Sequence, residues 1–518
     1  MEKIRGKCGI AAVSLPEGKD ASVGGAAYYL YKMLLQQQHR GQSSAGITTY
    51  NSKRARLIDT YKELGMVNEV FRSHHAQKNL AILNAYSGSK GIGHVRYATS
   101  GSDEDEDAQP FERRHGRLWK WFSFAFNGNI ANFAELKEGL RDSGYHLVRD
   151  VDTELMMHFI SKQLIGGKKR PVEEIFHALS QTFDGSYNIA YLDAEGRLVV
   201  ARDPLGFKPV CFLGNEGIFA AASESCALES FSENGFKDVK PGELVLAENG
   251  SFEARRFAKS GKKAHCMFEW VYFANPSSVL DGKNVYQARW DLGAELAKNE
   301  FLETGKQEYV VVPVPDTSRP AADGYANTLG LVSMEGLLRN RYVGRTFIEG
   351  SDRHEKARQK YSVNKAIVSG KKIILVDDSI VRGTTSKSLV EYIRKVGKPE
   401  EIHLRVSSPP IRCPCFYGID MSTLQELIAP KHLGKEGVIA PGKMDDVPKE
   451  AVEAIGKELG VDSLQFQTIG GLVRAIGLDW KDLCLACLTG HYPTESGQSL
   501  IKKAVENRAQ GCRKRTYS

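Results

Sequence analysis

No stretch of this sequence stays apolar long enough to cross a bilayer as a helix, and Met1 to Lys7 has none of the apolar run of a secretory signal. These absences predict a soluble, cytoplasmic chain with no membrane partner. A field of one sign is missing too. Acids and bases are intermixed and leave a formal net charge of +7, so nothing draws nucleic acid along a broad face. Arg513 to Arg515 reads as a solvated tail, and Asp103 to Asp107 as an exposed acidic loop. Cysteine is sparse, nine in 518 residues, which excludes a disulfide scaffold and gives weight to the few that are well placed. Repeats and low-complexity segments are lacking, and the length suits two or three domains, each with its own core.

What is present changes character midway. The first half alternates short β-like runs with turn signals. In one of them, from Glu243 to Ala254, Asn249-Gly250 separates two strand patterns and predicts a hairpin. Antiparallel sheets with a few helices are expected there. The basic, glycine-containing stretch Lys259 to His265 is the candidate linker. Beyond it, Tyr309-Val-Val-Val-Pro-Val reads as a buried strand followed by the loop Pro315-Asp316-Thr317-Ser318 and a helix from Ala321, which argues for a parallel α/β domain.

The most informative segment is Lys372-Ile-Ile-Leu-Val-Asp377-Asp378-Ser379-Ile-Val-Arg382-Gly383-Thr384-Thr385-Ser386. Ile373 to Val376 suit an interior parallel strand, and Leu389, Val390, Ile393 and Val396 fall at helical spacing before a stop at Gly397. Between strand and helix, backbone N–H groups from Gly383 to Ser386 can wrap a phosphate, because Gly383 has no Cβ to keep it away. The hydroxyls of Thr384, Thr385 and Ser386 add donors. Asp377 and Asp378 fall where the strand ends, the ligand edge of an open α/β sheet, and can hold sugar hydroxyls or a hard cation. Asn340-Arg341-Tyr342-Val343-Gly344-Arg345-Thr346 mixes cations, an aromatic and a glycine. It reads equally as a flap that closes over an anion and as a surface strand with two exposed arginines.

The order of apolar run, two acids and Gly-Thr-Thr resembles the type I phosphoribosyltransferases, which bind phosphoribosyl pyrophosphate with magnesium. That resemblance implies substrate contacts from Asp377, Asp378 and Ser379, and from Arg382 through Ser386. It implies a flap carrying Arg341 and Arg345, and Mg2+ at Thr317, Asp377 and Asp378.

In the first half, Cys8-Gly9-Ile10 would be unremarkable alone, since such a cysteine is more often packed than reactive. It is followed in order by His39-Arg40-Gly41-Gln42, Gly93-His94-Val95-Arg96-Tyr97, Asn127-Gly128-Asn129 and Asp152-Thr153-Glu154. The set resembles the class II glutamine amidotransferases, whose N-terminal cysteine attacks the glutamine amide with its own α-amino group as base. Carried over, Cys8 is the nucleophile, Asn127 and Gly128 form the oxyanion hole, and Arg96 and Asp152 grip the glutamine carboxylate and amine. Because Cys8 is not at position two, the resemblance implies removal of residues 1–7 as a leader.

A class II glutaminase followed by a type I phosphoribosyltransferase resembles the amidophosphoribosyltransferase family over nearly the whole chain. Matching stretches include Ala201 to Gly206, Ala222 to Leu228, Met267 to Ala274 and Pro414 to Asp420. The implied fold is an N-terminal-nucleophile, four-layer αββα sandwich over 8–260, followed over 266–518 by a parallel-sheet phosphoribosyltransferase domain with a C-terminal cluster-binding segment. The implied reaction forms 5-phosphoribosylamine, glutamate and pyrophosphate, the first step of purine (IMP) synthesis, in a homotetramer inhibited by AMP and GMP. A paralogue that binds phosphoribosyl pyrophosphate or purine nucleotides without turnover is the rival.

Cys484-Leu-Ala-Cys487 has a spacing that serves iron–sulfur, zinc or simple packing. Iron–sulfur members of the family have ligands at positions matched by Cys266, Cys415, Cys484 and Cys487, which implies a [4Fe–4S] centre. Cys413 could stand in for Cys415, while Cys211, Cys226 and Cys512 read as ordinary thiols. The chain departs from the family pattern at Phe126, where histidine is common, at Lys208 in place of arginine, and at Arg339.

Overall fold

The structure is a computed structural model that describes residues 8–16, 24–97, 107–215, 217–231, 235–248, 250–303, 308–340, 360–419, 421, 423–433 and 447–511. The expected leader and both flap arginines, Arg341 and Arg345, lie outside these residues, as do Asp103 to Glu106 and Cys512.

Two antiparallel sheets face each other in the first half, one of seven strands and one of six. Strand Gly9–Ser14 lies inside the first, between Ile218–Ala222 and Lys90–Arg96. All six of its residues are buried, because both of its faces are covered. Ile10 and Ala12 point between the sheets, where they meet Ala190, Leu192 and Val200. Ala11 and Val13 point outward, under helix Gly25–Gln36. That helix repeats Ala26, Leu30, Met33 and Leu34 along one face, the spacing of a core-facing stripe, and each of the buried leucines and the methionine contributes roughly 1.5–3 kcal/mol.

The second sheet shows the same alternation. Phe122, Phe124 and Phe126 of strand Phe122–Ile130 pack outward with Leu155, Ile160 and Phe176 of helices Asp152–Gln163 and Val172–Ser180, whereas Ala125 turns inward. Helix, sheet, sheet, helix is the αββα order. The two strands expected to form a hairpin pair in antiparallel fashion, Glu243–Glu248 with Ser251–Arg256, with Glu248 opposite Ser251; Asn249 lies outside the described residues.

The later half carries a five-stranded parallel sheet in the order Val332–Ser333, Tyr309–Pro313, Lys372–Asp377, Glu401–Val406, Ser463–Phe466. Ile373 and Leu375 face helix Thr384–Gly397, while Ile374 and Val376 face Tyr325 and Leu296 on the other side. Two covered faces explain the uninterrupted apolar run. The helix expected from Ala321 spans Arg319–Leu329. Pro320 sits in its first turn, where a missing N–H costs nothing.

A third core joins the halves. Phe207 and Ala131 pack with apolar residues of Met267 to Ala274, with Ile411, Phe416, Tyr417, Ile419 and Leu427, and with apolar residues of the C-terminal stretch Leu483 to Tyr492. His265, the last residue of the expected linker, instead begins strand His265–Cys266, which pairs in parallel with Leu483–Cys484. Among the described residues no helix is long and apolar enough to cross a membrane.

Candidate active sites and a cysteine cavity

Cys8 immediately precedes strand Gly9–Ser14 and lines a pocket with Arg96, Gly128, Asn129 and Asp152. Each neighbour arrives from a different element. Arg96 ends strand Lys90–Arg96, Gly128 lies near the end of Phe122–Ile130, and Asp152 opens helix Asp152–Gln163. Gly128 has a structural reason to be glycine, since a Cβ there would lie 1.9 Å from the carbonyl oxygen of Ser186. Asn127 is buried, and its amide donates to Ser223 Oγ at 3.4 Å. The same Ser223 oxygen accepts from the Ile10 N–H at 3.0 Å.

Electrostatics divide the pocket. Burial pushes the Cys8 thiol up, against the pull of Arg96, Lys208 and Arg40. Burial also pushes Asp152 up to about 7, although it accepts the Ile130 N–H at 3.1 Å. Asp107 corrects an expectation: it is buried rather than part of an exposed loop, and it lies 3.6 Å from Arg96 Nη2 on the pocket wall. An acidic run reads as solvated by composition, and only the fold reveals that its last member meets a cation.

Behind Cys8 lies a set of charges that sequence reading did not assign. Arg40 Nε donates to the Cys8 carbonyl at 2.9 Å, and both of its terminal nitrogens donate to Glu269 at 3.0 Å. Arg40 also pairs with Glu224, which receives His39 Nε2 at 2.8 Å. Burial alone would raise both carboxyls, but His39 and Arg40 hold Glu224 well below the usual range, and Arg40 and Lys208 hold Glu269 below it. Removing one partner of such a buried pair typically costs ~3–5 kcal/mol. His39, Arg40, Glu224 and Glu269 all fall within stretches picked out by resemblance, but partners 184 and 229 residues apart give no local signal.

The second site lies at the carboxyl edge of the parallel sheet. Asp377 ends strand Lys372–Asp377, and helix Thr384–Gly397 starts at Gly383 with no side-chain cap on its first turn. Gly383 has φ +76°, and a Cβ there would come within 2.3 Å of Ile428 Cδ1. Thr317 Oγ1 donates to Asp378 Oδ2, Ser379 Oγ donates to Asp378 Oδ1 at 2.7 Å, and Ser318 Oγ reaches Asp377 Oδ1 at 3.5 Å. The fold thus brings Thr317 to Asp378 and Ser318 to Asp377 from a neighbouring strand's loop. The donors are all oxygen, which suits a hard cation. Arg382 lies 3.7 Å from Glu426, and Arg339 pairs with Asp316 at 2.7 Å.

Cys266, Cys415, Cys484 and Cys487 line one small cavity with Phe207, Tyr417 and Tyr492. The parallel strand pair sets Cys266 beside Cys484 in register. Cys413 is buried but does not line the cavity. Burial pushes the Cys266 thiol up to about 12 and also raises Cys415, Cys484 and Cys487. Among the described residues no group of three or more His, Cys, Asp or Glu converges closely enough to hold a metal ion.

Comparison with known proteins agrees with this division. A family model described as a glutamine amidotransferase domain matches residues 94–230, and one described as a phosphoribosyl transferase domain matches residues 281–408. The amidophosphoribosyltransferase of Methanothermobacter thermautotrophicus is 39% identical over 496 residues, 95% of each chain. That of Bacillus subtilis is 37% identical over 92% of this chain and 93% of its own. This chain belongs to the amidophosphoribosyltransferase family. A solved structure of the Bacillus subtilis glutamine phosphoribosylpyrophosphate amidotransferase, complexed with ADP and GMP, superposes with a TM-score of 0.79 at 35% identity, covering 94% of this chain and 98% of that one. The amidophosphoribosyltransferase fold therefore runs through both sheets of the sandwich and the parallel sheet beyond.

Proposed function

We propose that Cys8 frees ammonia from glutamine and that the Asp377 to Ser386 loop presents phosphoribosyl pyrophosphate to receive it. The reaction is that of the family: glutamine, water and phosphoribosyl pyrophosphate give 5-phosphoribosylamine, glutamate and pyrophosphate, the first step of purine synthesis. The observation that carries the reading is the single pocket shared by Cys8, Arg96, Gly128 and Asp152, in a chain that also holds the strand, acid pair, glycine loop and helix start of a phosphosugar site.

In this reading the thiol attacks the amide carbon, and the α-amino group exposed by loss of residues 1–7 takes its proton. Asn127 and Gly128 receive the oxyanion, Arg96 holds the carboxylate, and Asp152 holds the ammonium. Thr317, Asp377 and Asp378 would hold Mg2+, which when bound neutralises charge on the departing pyrophosphate. Arg341 and Arg345 would close over that end and exclude water. We also infer a cytoplasmic homotetramer with purine nucleotide control by AMP and GMP. The ADP and GMP complex of the Bacillus subtilis relative supports nucleotide binding.

The cysteine cavity supports a [4Fe–4S] centre. Its donor set is all thiol and its other walls are largely apolar. Cys266, Cys415, Cys484 and Cys487 would hold the cluster as thiolates, the ligand type that iron–sulfur centres take. Its role here would be to pin the C-terminal segment. Anaerobically purified protein is expected to be brown and to contain iron and sulfide, and Cys484→Ser to lose both. Colourless, iron-free wild type would remove the cluster.

The function is tested by release of pyrophosphate from phosphoribosyl pyrophosphate, by the purified chain with Mg2+ and glutamine. No release would favour a silent nucleotide-binding paralogue. The pocket also predicts a pH profile. Asp152 must be ionised to meet an ammonium group, so kcat/KM for glutamine should climb as pH rises through about 7, the free-enzyme value that this ratio reports. Asp152→Asn should raise KM for glutamine and erase that limb while leaving the higher limb of the Cys8 amine. A wild-type profile flat through neutrality would exclude a titrating carboxyl in this role.

A further inference from the structure

Cys8 is held from behind by a carboxylate that belongs to the other half of the chain. Arg40 Nε donates to the Cys8 carbonyl at 2.9 Å, and the two ends of its guanidinium fork meet the two oxygens of Glu269 at 3.0 Å each. Both side chains are fully buried. Glu269 opens the π-helical turn Glu269–Phe273. That turn is anchored from outside by Arg289, which donates to the Trp270 carbonyl and the Ala274 carbonyl, each at 2.8 Å. Arg289 lies in helix Val285–Ala297, which packs beneath the phosphosugar sheet, where Leu296 and Ala297 meet Val311 and Ile374. On its other side Glu269 has the Lys208 ammonium at 3.7 Å. That buried cation has no hydrogen-bond partner among the described residues.

We propose that Glu269 is a positioning residue for glutamine hydrolysis: it fixes the Arg40 guanidinium, and Arg40 fixes the carbonyl of Cys8, from whose Cα both the thiol and the α-amino base hang. A bidentate carboxylate contact sets the plane of a guanidinium as well as its distance. The nitrogen left over for Cys8, Nε, then has one direction in which to donate. The thiol must reach the amide carbon while the amine stays within reach of its proton, so a small rotation about Cys8 misaligns both. Displacements near 1 Å in such sites cost about 10²-fold. Glu224 cannot replace Glu269, because it is already shared among Arg40, His39, the Asn275 N–H and the Ser278 hydroxyl. The inference rests on the assignment of Cys8 as nucleophile and adds to it a residue that touches neither substrate.

The test compares Glu269→Gln with wild type in the full chain, using glutamine and then an ammonium salt as nitrogen source. Glutamine-dependent kcat is expected to fall about 10²-fold, with KM for glutamine changed far less, since Arg96 and Asp152 set it. Alkylation of Cys8 by a glutamine-like diazoketone should slow in step. Ammonium-dependent pyrophosphate release should stay close to wild type. Glu269→Asp, which keeps the charge, should recover part of the loss, and it decides the matter if Glu269→Gln does not fold. Equal loss with both nitrogen sources, or no loss with glutamine, would overturn the inference. The underlying reading is checked separately by Cys8→Ala. If that variant loses glutamine use and the Glu269 variants do not, the nucleophile stands and the positioning role falls.

Discussion

Cys8→Ala is expected to lower glutamine-dependent synthesis on the order of 10⁴-fold or more, as loss of a covalent nucleophile does elsewhere, while an ammonium salt at alkaline pH still drives the reaction. The contrast follows from the distance between the two chemistries in the fold. Cys8 precedes a strand inside the seven-stranded sheet, whereas the phosphosugar loop ends a strand of the separate parallel sheet. Removing the sulfur leaves the second site intact, and free ammonia needs no sulfur to attack the sugar. A neutral amine is required, since an ammonium ion has no lone pair, hence the alkaline conditions. Burial pushes the Cys8 thiol up, so as a nucleophile it would need a base at hand. An N-terminal amine, with its ordinary value about 7.7–8.0, is suited to that work near neutrality. Retained glutamine-driven synthesis in Cys8→Ala would end the assignment. A fully active chain still bearing Met1 would contradict the removal of residues 1–7.

Asp378→Asn is expected to lower product formation steeply with either nitrogen source. Its carboxylate takes hydroxyl hydrogens from Thr317 on one oxygen and Ser379 on the other, and it is almost wholly buried. An amide of the same shape offers one acceptor and turns an NH2 group toward one of those hydroxyls. It also removes one of the two charges that would hold Mg2+. Metal stabilisation of a leaving group supplies several kcal/mol, so the loss should be on the order of 10³-fold. Pyrophosphate release measured across Mg2+ concentrations, with glutamine and with ammonium, separates this variant from Cys8→Ala. If the ammonium-driven rate of Asp378→Asn stayed near wild type, the acid pair would not be the metal and substrate clamp.

The phosphosugar half could be read from local order because its parts are contiguous. Strand, acids, loop and helix occupy one run from Lys372 to Gly397, and each step is enforced by near neighbours. The glutamine pocket was different. Cys8, Arg96, Gly128 and Asp152 are scattered over the first half, and nothing in their spacing says that they meet. Resemblance brought them together as candidates, and the sheet register brings them together in space. Neither route found Asp107, Arg40 or Glu269 as partners. Two buried charges that satisfy each other across 229 residues look, one by one, like ordinary surface charges. The cysteine cavity stands between these cases. The C-x-x-C spacing is visible, but it takes a parallel two-strand ladder to set Cys266 beside Cys484.

The third core has a bearing on how such a chain can change over generations. Phe207 stacks on Tyr417 with ring centroids 4.2 Å apart, Asn129 donates to the Phe416 carbonyl at 2.9 Å, and Gly418 sits so close to Gly128 that a Cβ would be 3.1 Å from its carbonyl. A crossover near residue 260 that swapped in a foreign glutaminase would cut through this shared packing. It would leave aromatic faces bare and strip strand Phe122–Ile130 of its backing at Gly128 and Asn129. The two halves read like modules on paper, but inheritance must treat them as a single trait.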